Sequence, residues 1–189
     1  MTFRSDSTSI DIQRDAVVLS KLDDLVAGLL AFEQHDYESA IASLSEVNDS
    51  HPAKFAIAQE RLGVTYLAVN NPAFAIEPLE RALQIYERLD PVSLTVAECK
   101  MHLGIAYAQT GHHEMALSEY RHVVHRVPDW SVAYFQMARS HACRNRALEC
   151  VEALLLAAQL DASAFERART DADFAKVRES AEFQRRCCA

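Results

Sequence analysis

Apolar residues along the chain recur at spacings of three and four, the period of a helix with one buried face. Residues 16–34 carry Val18, Leu22, Leu25, Leu29 and Phe32 on such a stripe, with Leu19, Val26 and Leu30 beside it, and predict a helix. His35-Asp36 interrupts. A second helix is predicted from Tyr37 through Ala40, Ile41, Leu44 and Val47, stopping near His51-Pro52. The alternation continues with helices over 53–69 and 72–89 around Asn70-Asn71-Pro72, where proline takes the first helical position. Asp90-Pro91 reads as an N-cap followed by proline, opening a helix over 91–109. Gly111 turns the chain into 113–126, Pro128 ends that pair, and 131–143 with 146–160 make a fourth.

The pairs share a repeat. A small residue in each first helix falls at Gly28, Gly63, Gly104 and Ala138, at intervals of 35, 41 and 34. A small residue in each second helix falls at Ala40, Ala75, Ala116 and Cys150, at the same three intervals. The long interval holds seven extra residues, close to two helical turns, so lengthened helices keep their buried faces inward. A glycine inside a helix costs ~1 kcal/mol relative to alanine, so three at one repeat position imply close backbone approach. Seven residues after each small residue stand His35, Asn70, Gly111 and Asn145. Asn and Gly tolerate the left-handed conformation that ends a helix, and His35 is the exception among the four.

Composition supports an all-α chain. Only nine of 189 residues are Gly or Pro, which disfavours sandwiches, barrels and disordered linkers. The formal charge of −8 lies in residues 1–90, with 7 basic and 15 acidic residues, whereas residues 91–189 balance at 12 and 12. Neither half has the basic excess that phosphate neutralisation needs, so nucleic acid is not an expected partner. Six of the eight histidines lie in the second half, which should turn cationic below about pH 6.5. The longest apolar run, Leu25 to Phe32, has eight residues, short of the ~18 of a membrane span, so no membrane insertion is expected. The first residues lack the apolar core of a signal peptide and read as a disordered lead. Five cysteines without framework spacing read as reduced thiols, and the expected location is cytoplasmic.

These residues resemble the tetratricopeptide repeat family, whose 34-residue unit follows W-x2-L-G-x2-Y, then A-x3-F, then P. The third pair fits best, with Leu103-Gly104, Tyr107, Gly111, Ala116, Tyr120 and Pro128, and departs in Lys100 at the Trp position. The second has Leu62-Gly63, Tyr66, Ala75 and Leu79; the first has Gly28, Tyr37, Ala40, Leu44 and Pro52, with Ala27 and Ala31 replacing Leu and Tyr. The fourth is the most degenerate, with Tyr134, Met137-Ala138, His141, Cys150 and Leu154. The resemblance implies a right-handed α-solenoid of four helix pairs. The expected organisation is a lead over 1–14 and one solenoid domain over 15–189, with repeats at about 21–54, 56–90, 97–130 and 131–162. Residues 163–189 resemble the tails that follow the last repeat in such proteins. They would cover the exposed end with Phe165, Phe174, Val177 and Phe183 inward and the arginines and carboxylates facing water.

The resemblance also implies a concave groove lined by the second, fifth, ninth and twelfth positions of each repeat. These are Leu22, Leu25, Leu29 and Phe32; Ile57, Glu60, Val64 and Leu67; Glu98, Met101, Ile105 and Ala108; and Val132, Phe135, Arg139 and Ala142. The lining is mostly apolar and lacks the basic clamp of family members that grip chaperone C-termini. It suits an amphipathic helix or an extended apolar segment of a protein partner. Met101 would add an adaptable contact and Arg139 would pair with a ligand carboxylate. At the first pair, where all four positions are apolar, the face can equally be covered by the chain's own ends or by a second copy in a homo-oligomer. The expected function is a non-enzymatic protein-binding module without cofactor. The alternatives are an export or assembly chaperone shielding an apolar client, or, remotely, a metal-binding protein built on His112, His113, His122 and His125.

That histidine group has no carboxylate or cysteine at a familiar metal spacing, and a solvated helix face explains it better. Cys150 takes a small buried position beside Cys143, and Cys187-Cys188 is a vicinal pair without an electropositive setting. No phosphate-binding, nucleophile-elbow or metalloprotease motif occurs. Pro78 is expected to remove the hydrogen bond to Phe74 and bend its helix.

Overall fold

The computed structural model describes residues 23–187, which fold into antiparallel helix pairs stacked side by side. The helices are α1 (Asp24–Glu33), α2 (Tyr37–Ser45), α3 (Pro52–Ala68), α4 (Pro72–Leu89), α5 (Leu94–Gln109), α6 (His113–Arg126), α7 (Ser131–Cys143) and α8 (Ala147–Leu160). Three short helices follow: α9 (Ala164–Thr170), α10 (Ala175–Arg178) after a 3-10 turn (Ala172–Phe174), and α11 (Ala181–Cys187). Among the described residues there is no strand. The lead over 1–14, the stretch holding Val18, Leu19 and Leu22, and Cys188 lie outside the described residues.

Each pair closes through one motif. His35, Asn70, Gly111 and Asn145 have φ of 60°, 56°, 82° and 56°, so His35 joins the others in the left-handed region. In each turn this residue's amide donates to the carbonyl three back, and the next amide donates to the carbonyl five back; Asn70 to Leu67 is 3.0 Å and Asn71 to Tyr66 is 2.8 Å. This double bond satisfies the end carbonyls of the first helix and reverses the chain. His35 Nδ1 lies 3.1 Å from the Tyr37 hydroxyl, which anchors the ring, and His is among the non-glycine residue types that adopt this backbone.

The small residues do what their spacing demands. A Cβ on Gly28, Gly63 or Gly104 would stand 2.5 Å from Leu44 Cγ, Leu79 Cγ or Tyr120 Cε1. Each large partner lies four residues after the small residue of the second helix, and all three are fully buried. The seven extra residues divide between two helices: α4 runs fourteen residues past Ala75 while α6 runs ten past Ala116, and α5 starts ten before Gly104 while α7 starts seven before Ala138. Each helix thus gains about one turn, which preserves its buried face.

Two local expectations need correction. Asp90 does not cap a helix that begins at Pro91. Its side chain accepts from the Val92 amide at 3.2 Å and its carbonyl from the Ser93 amide at 3.2 Å, so residues 90–93 form a turn. Ser93 is the N-cap of α5, accepting from the Val96 amide at 3.4 Å. The cap also uses its arginines rather than leaving them to water. Arg178 donates to the carbonyls of Arg169 and Asp171, at 2.5 and 3.1 Å, and Arg169 to that of Cys187 at 2.9 Å. Phe174, Val177 and Phe183 are fully buried against α7 and α8, with Phe165 half-buried beside them. α4 continues through Pro78.

Candidate concave binding face

The first helices of neighbouring pairs meet one another, α1 with α3, α3 with α5 and α5 with α7, whereas the second helices stand further apart. The first helices therefore lie on the inner, shorter radius of the stack, and their free surface forms the concave face. The implied contact positions sort by depth on this face. Every fifth position is buried: Leu25 at 8%, Glu60 at 8%, Met101 at 4% and Phe135 at 6% exposure. Every described second position is exposed, namely Ile57, Glu98 and Val132. Every ninth position is half-buried, namely Leu29, Val64, Ile105 and Arg139. Phe32, Leu67 and Ala108 match that depth at the twelfth position, and Ala142 is buried. Met101 and Phe135 thus lie in the floor, held from below by their own chain, and the accessible surface of this face comes from the described second and ninth positions with Phe32, Leu67 and Ala108.

The floor contains one charged residue. Tyr86 donates to Glu60 Oε2 at 3.0 Å, and His102 Nδ1 faces Glu60 Oε1 at 3.5 Å. Burial by itself would raise the Glu60 pKa, but the facing His102 ring, the Tyr86 hydroxyl and nearby Arg61 hold it below the ordinary carboxylate value. Burial, and then the same carboxylate, push the Tyr86 phenol far up, so it remains a donor. Lys100, the departure from the family's Trp, bridges Glu87 at 2.8 Å and Glu119 at 3.4 Å, tying the extended end of α4 to α6.

The fourth pair is closed differently. Arg139, expected to meet a ligand carboxylate, is engaged within the chain by Asp171 at 3.2 Å and Asp173 at 2.5 Å. Phe135 lies under the cap, with its ring centroid 5.6 Å from that of Phe174 and the Arg167 guanidinium 4.3 Å above it. A cleft of about 450 Å³ remains where Ile105 and Ala108 face Gln136, Arg139 and Asp173.

Other candidate groups do not assemble a reactive centre. His112, His122 and His125 are exposed, and His113 is half-buried at the start of α6. Among the described residues no three His, Cys, Asp or Glu side chains converge to hold a metal ion. Cys150 is fully buried, and burial together with neighbouring Cys187 and Cys143 pushes its thiol up to about 12. No helix of the described residues is long and apolar enough to cross a membrane.

Repeated antiparallel pairs, a shared turn, inner first helices and a capped end define a helix-pair solenoid. The tetratricopeptide repeat model matches residues 54–125, and the folded chain has the architecture of a tetratricopeptide-repeat solenoid. A crystal structure of MamA superposes with a TM-score of 0.71 at 18% identity, covering 87% of this chain and 84% of that one. A Podosopora anserina protein with nearly identical TPR-like repeats, described as a kinesin light chain, superposes with a TM-score of 0.66 at 16% identity, covering 87% and 88%. At these identities both establish the fold alone. No curated protein sequence matches the chain. Solenoids of this kind are generally protein–protein interaction modules.

Proposed function

We propose that the chain is a non-enzymatic binding module that holds a segment of another protein along its concave face. The observation that carries this reading is the row formed by Leu29, Val64 and Ile105 with Phe32 and Leu67. These apolar side chains keep part of their surface accessible across three successive first helices. An apolar row over a packed floor, edged by exposed second positions, suits a segment that sets side chains into shallow pockets. The fourth pair contributes less, because the cap already holds Phe135 and Arg139.

The test uses half-exposed residues, since an unpaired carboxylate in place of Met101 or Phe135 would destabilise the pair rather than probe the surface. Val64→Glu together with Ile105→Glu should remove partners recovered by affinity purification and mass spectrometry, while circular dichroism shows helicity retained. Recovery of the same partners in the same amounts would eliminate the concave-face reading.

A further inference from the structure

The concave face has a second depression away from the intra-pair turns, between α3, α5 and the residues leading into α7. It has two connected parts, of about 500 Å³ and about 270 Å³, which share Glu98 and Trp130 as lining. Three carboxylates edge this trough: Glu60 in the floor of the larger part, Glu98 in the common wall, and Asp129 beside Trp130 in the smaller. Arg61 is the one guanidinium among its lining residues, and His102 stands at its side. Glu60 is 8% exposed and uses Oε2 for Tyr86; its Oε1 meets only the long 3.5 Å approach of His102 Nδ1, so acceptor capacity remains. Glu98 is exposed and makes no hydrogen bond or ion pair among the described residues. Apolar side chains also line the trough, with Ile57 38% and Leu94 56% exposed.

We propose that this trough receives a lysine or arginine side chain of a polypeptide segment whose neighbouring apolar residues rest on Ile57 and Leu94. The inference rests on the concave-face reading above and adds the charge of the partner. A long basic side chain matches both halves of the site: its alkyl stem lies along apolar rim while its head reaches carboxylates and the face of an indole. The chain contains the same combination internally. Arg167 stacks 4.3 Å over Phe135 while pairing with Asp161 at 3.0 Å. In the trough the aromatic and the carboxylates are present, and the cation comes from the partner. An acidic segment would meet three carboxylates there, which disfavours it as firmly as the pairing favours a basic one.

The experiment pans a random dodecapeptide library displayed on phage against the full chain and against Glu98→Lys. Wild type should enrich peptides in which Lys or Arg neighbours a large apolar residue. Synthetic copies of these peptides should bind Glu98→Lys about tenfold more weakly, and should weaken on wild type as salt rises from ~0.05 to ~0.5 M. Enriched peptides without basic residues, or basic peptides that bind both forms alike, would overturn the proposal. If binding is lost in the Val64→Glu, Ile105→Glu variant but not in Glu98→Lys, the concave face stands and the basic anchor falls. Enrichment on no form of the chain removes both. Glu98→Gln replaces Glu98→Lys if thermal melts show the charge reversal to be unfolded.

Discussion

The third and fourth helix pairs have the same architecture but different neighbours. In the third, Gly104 takes the edge of Tyr120, Ile105 is left half-exposed, and α7 packs against α6 and α5. In the fourth, Ala138 fills the small position, Phe135 lies beneath Phe174, and Arg139 spans Asp171 and Asp173. The third pair is therefore shaped by a further repeat and an open surface, the fourth by a cap. Degeneracy of the repeat pattern at the fourth pair is specialisation: its concave side chains are matched to the cap that follows in the same chain.

The largest effect should come from removing the wedge that distinguishes the two pairs. Phe174 is fully buried, so Phe174→Ala should cost ~3–5 kcal/mol in denaturant unfolding. In a solenoid each unit leans on its neighbours, so the loss should concentrate at the capped end. Hydrogen exchange should show α7, α8 and α11 losing protection while α4 and α5 keep theirs. Uniform loss from α1 to α11 would mean that the fourth pair is not separately held by the cap.

Next in size is exchange of the small residues. In Gly104→Ala the new Cβ would sit 2.5 Å from Tyr120 Cε1, and Tyr120 is fully buried. Overpacking of this kind costs ~1–3 kcal/mol, which exceeds the ~1 kcal/mol gained from helix propensity. Ala138→Gly relieves no clash and should lose the propensity difference of ~1 kcal/mol together with about 0.8 kcal/mol for its buried methyl. Thermal unfolding of both variants checks the asymmetry; a stabilised Gly104→Ala would show that the third pair is packed no more tightly than the fourth.

These contrasts show which physics a sequence carries openly. Helix period, the four turn residues and the small positions are local or strictly repeated, and the helix pairs are legible from them. His35 follows the turn because two backbone hydrogen bonds impose the conformation whatever the side chain. The start of α5 was not legible, because Asp90 and Ser93 are both good caps and only the turn geometry chooses between them. Depth on the concave face was not legible either. Met101 and Ile105 are both apolar residues on one helix face, yet the curvature of the stack buries the first and leaves the second half-exposed. The pairings of Lys100 and Arg139 join residues that only the stacked fold brings together. A cation four positions before the repeated glycine of the third pair, with glutamates on the adjacent helices, was the one available signal for Lys100.

The smallest expected effect sharpens the comparison through pH. His141 is buried in α7 at 6% exposure, and its Nδ1 has no hydrogen-bond partner among the described residues. Burial lowers its pKa; Arg121, Arg146 and Arg144 lower it further, and Glu149 alone opposes them. His113, at the start of α6 and facing the same pair, is lowered by burial, Arg144 and His112 against Asp173. A histidine whose folded pKa lies below its unfolded value is neutral in the native state while the unfolded chain already binds the proton. Stability should then be complete above about pH 6.5 and fall as pH drops through the interval between the two values. Denaturant midpoints measured between neutral pH and about pH 5 should decline in wild type more than in His141→Gln, with His113→Gln giving a weaker version of the same change. Because both rings adjoin the fourth pair, hydrogen exchange under acid should first register in α7 and α8 and only later in α4 and α5. An identical pH profile in wild type and His141→Gln would place the acid sensitivity elsewhere and leave the third and fourth pairs equally tolerant of protonation.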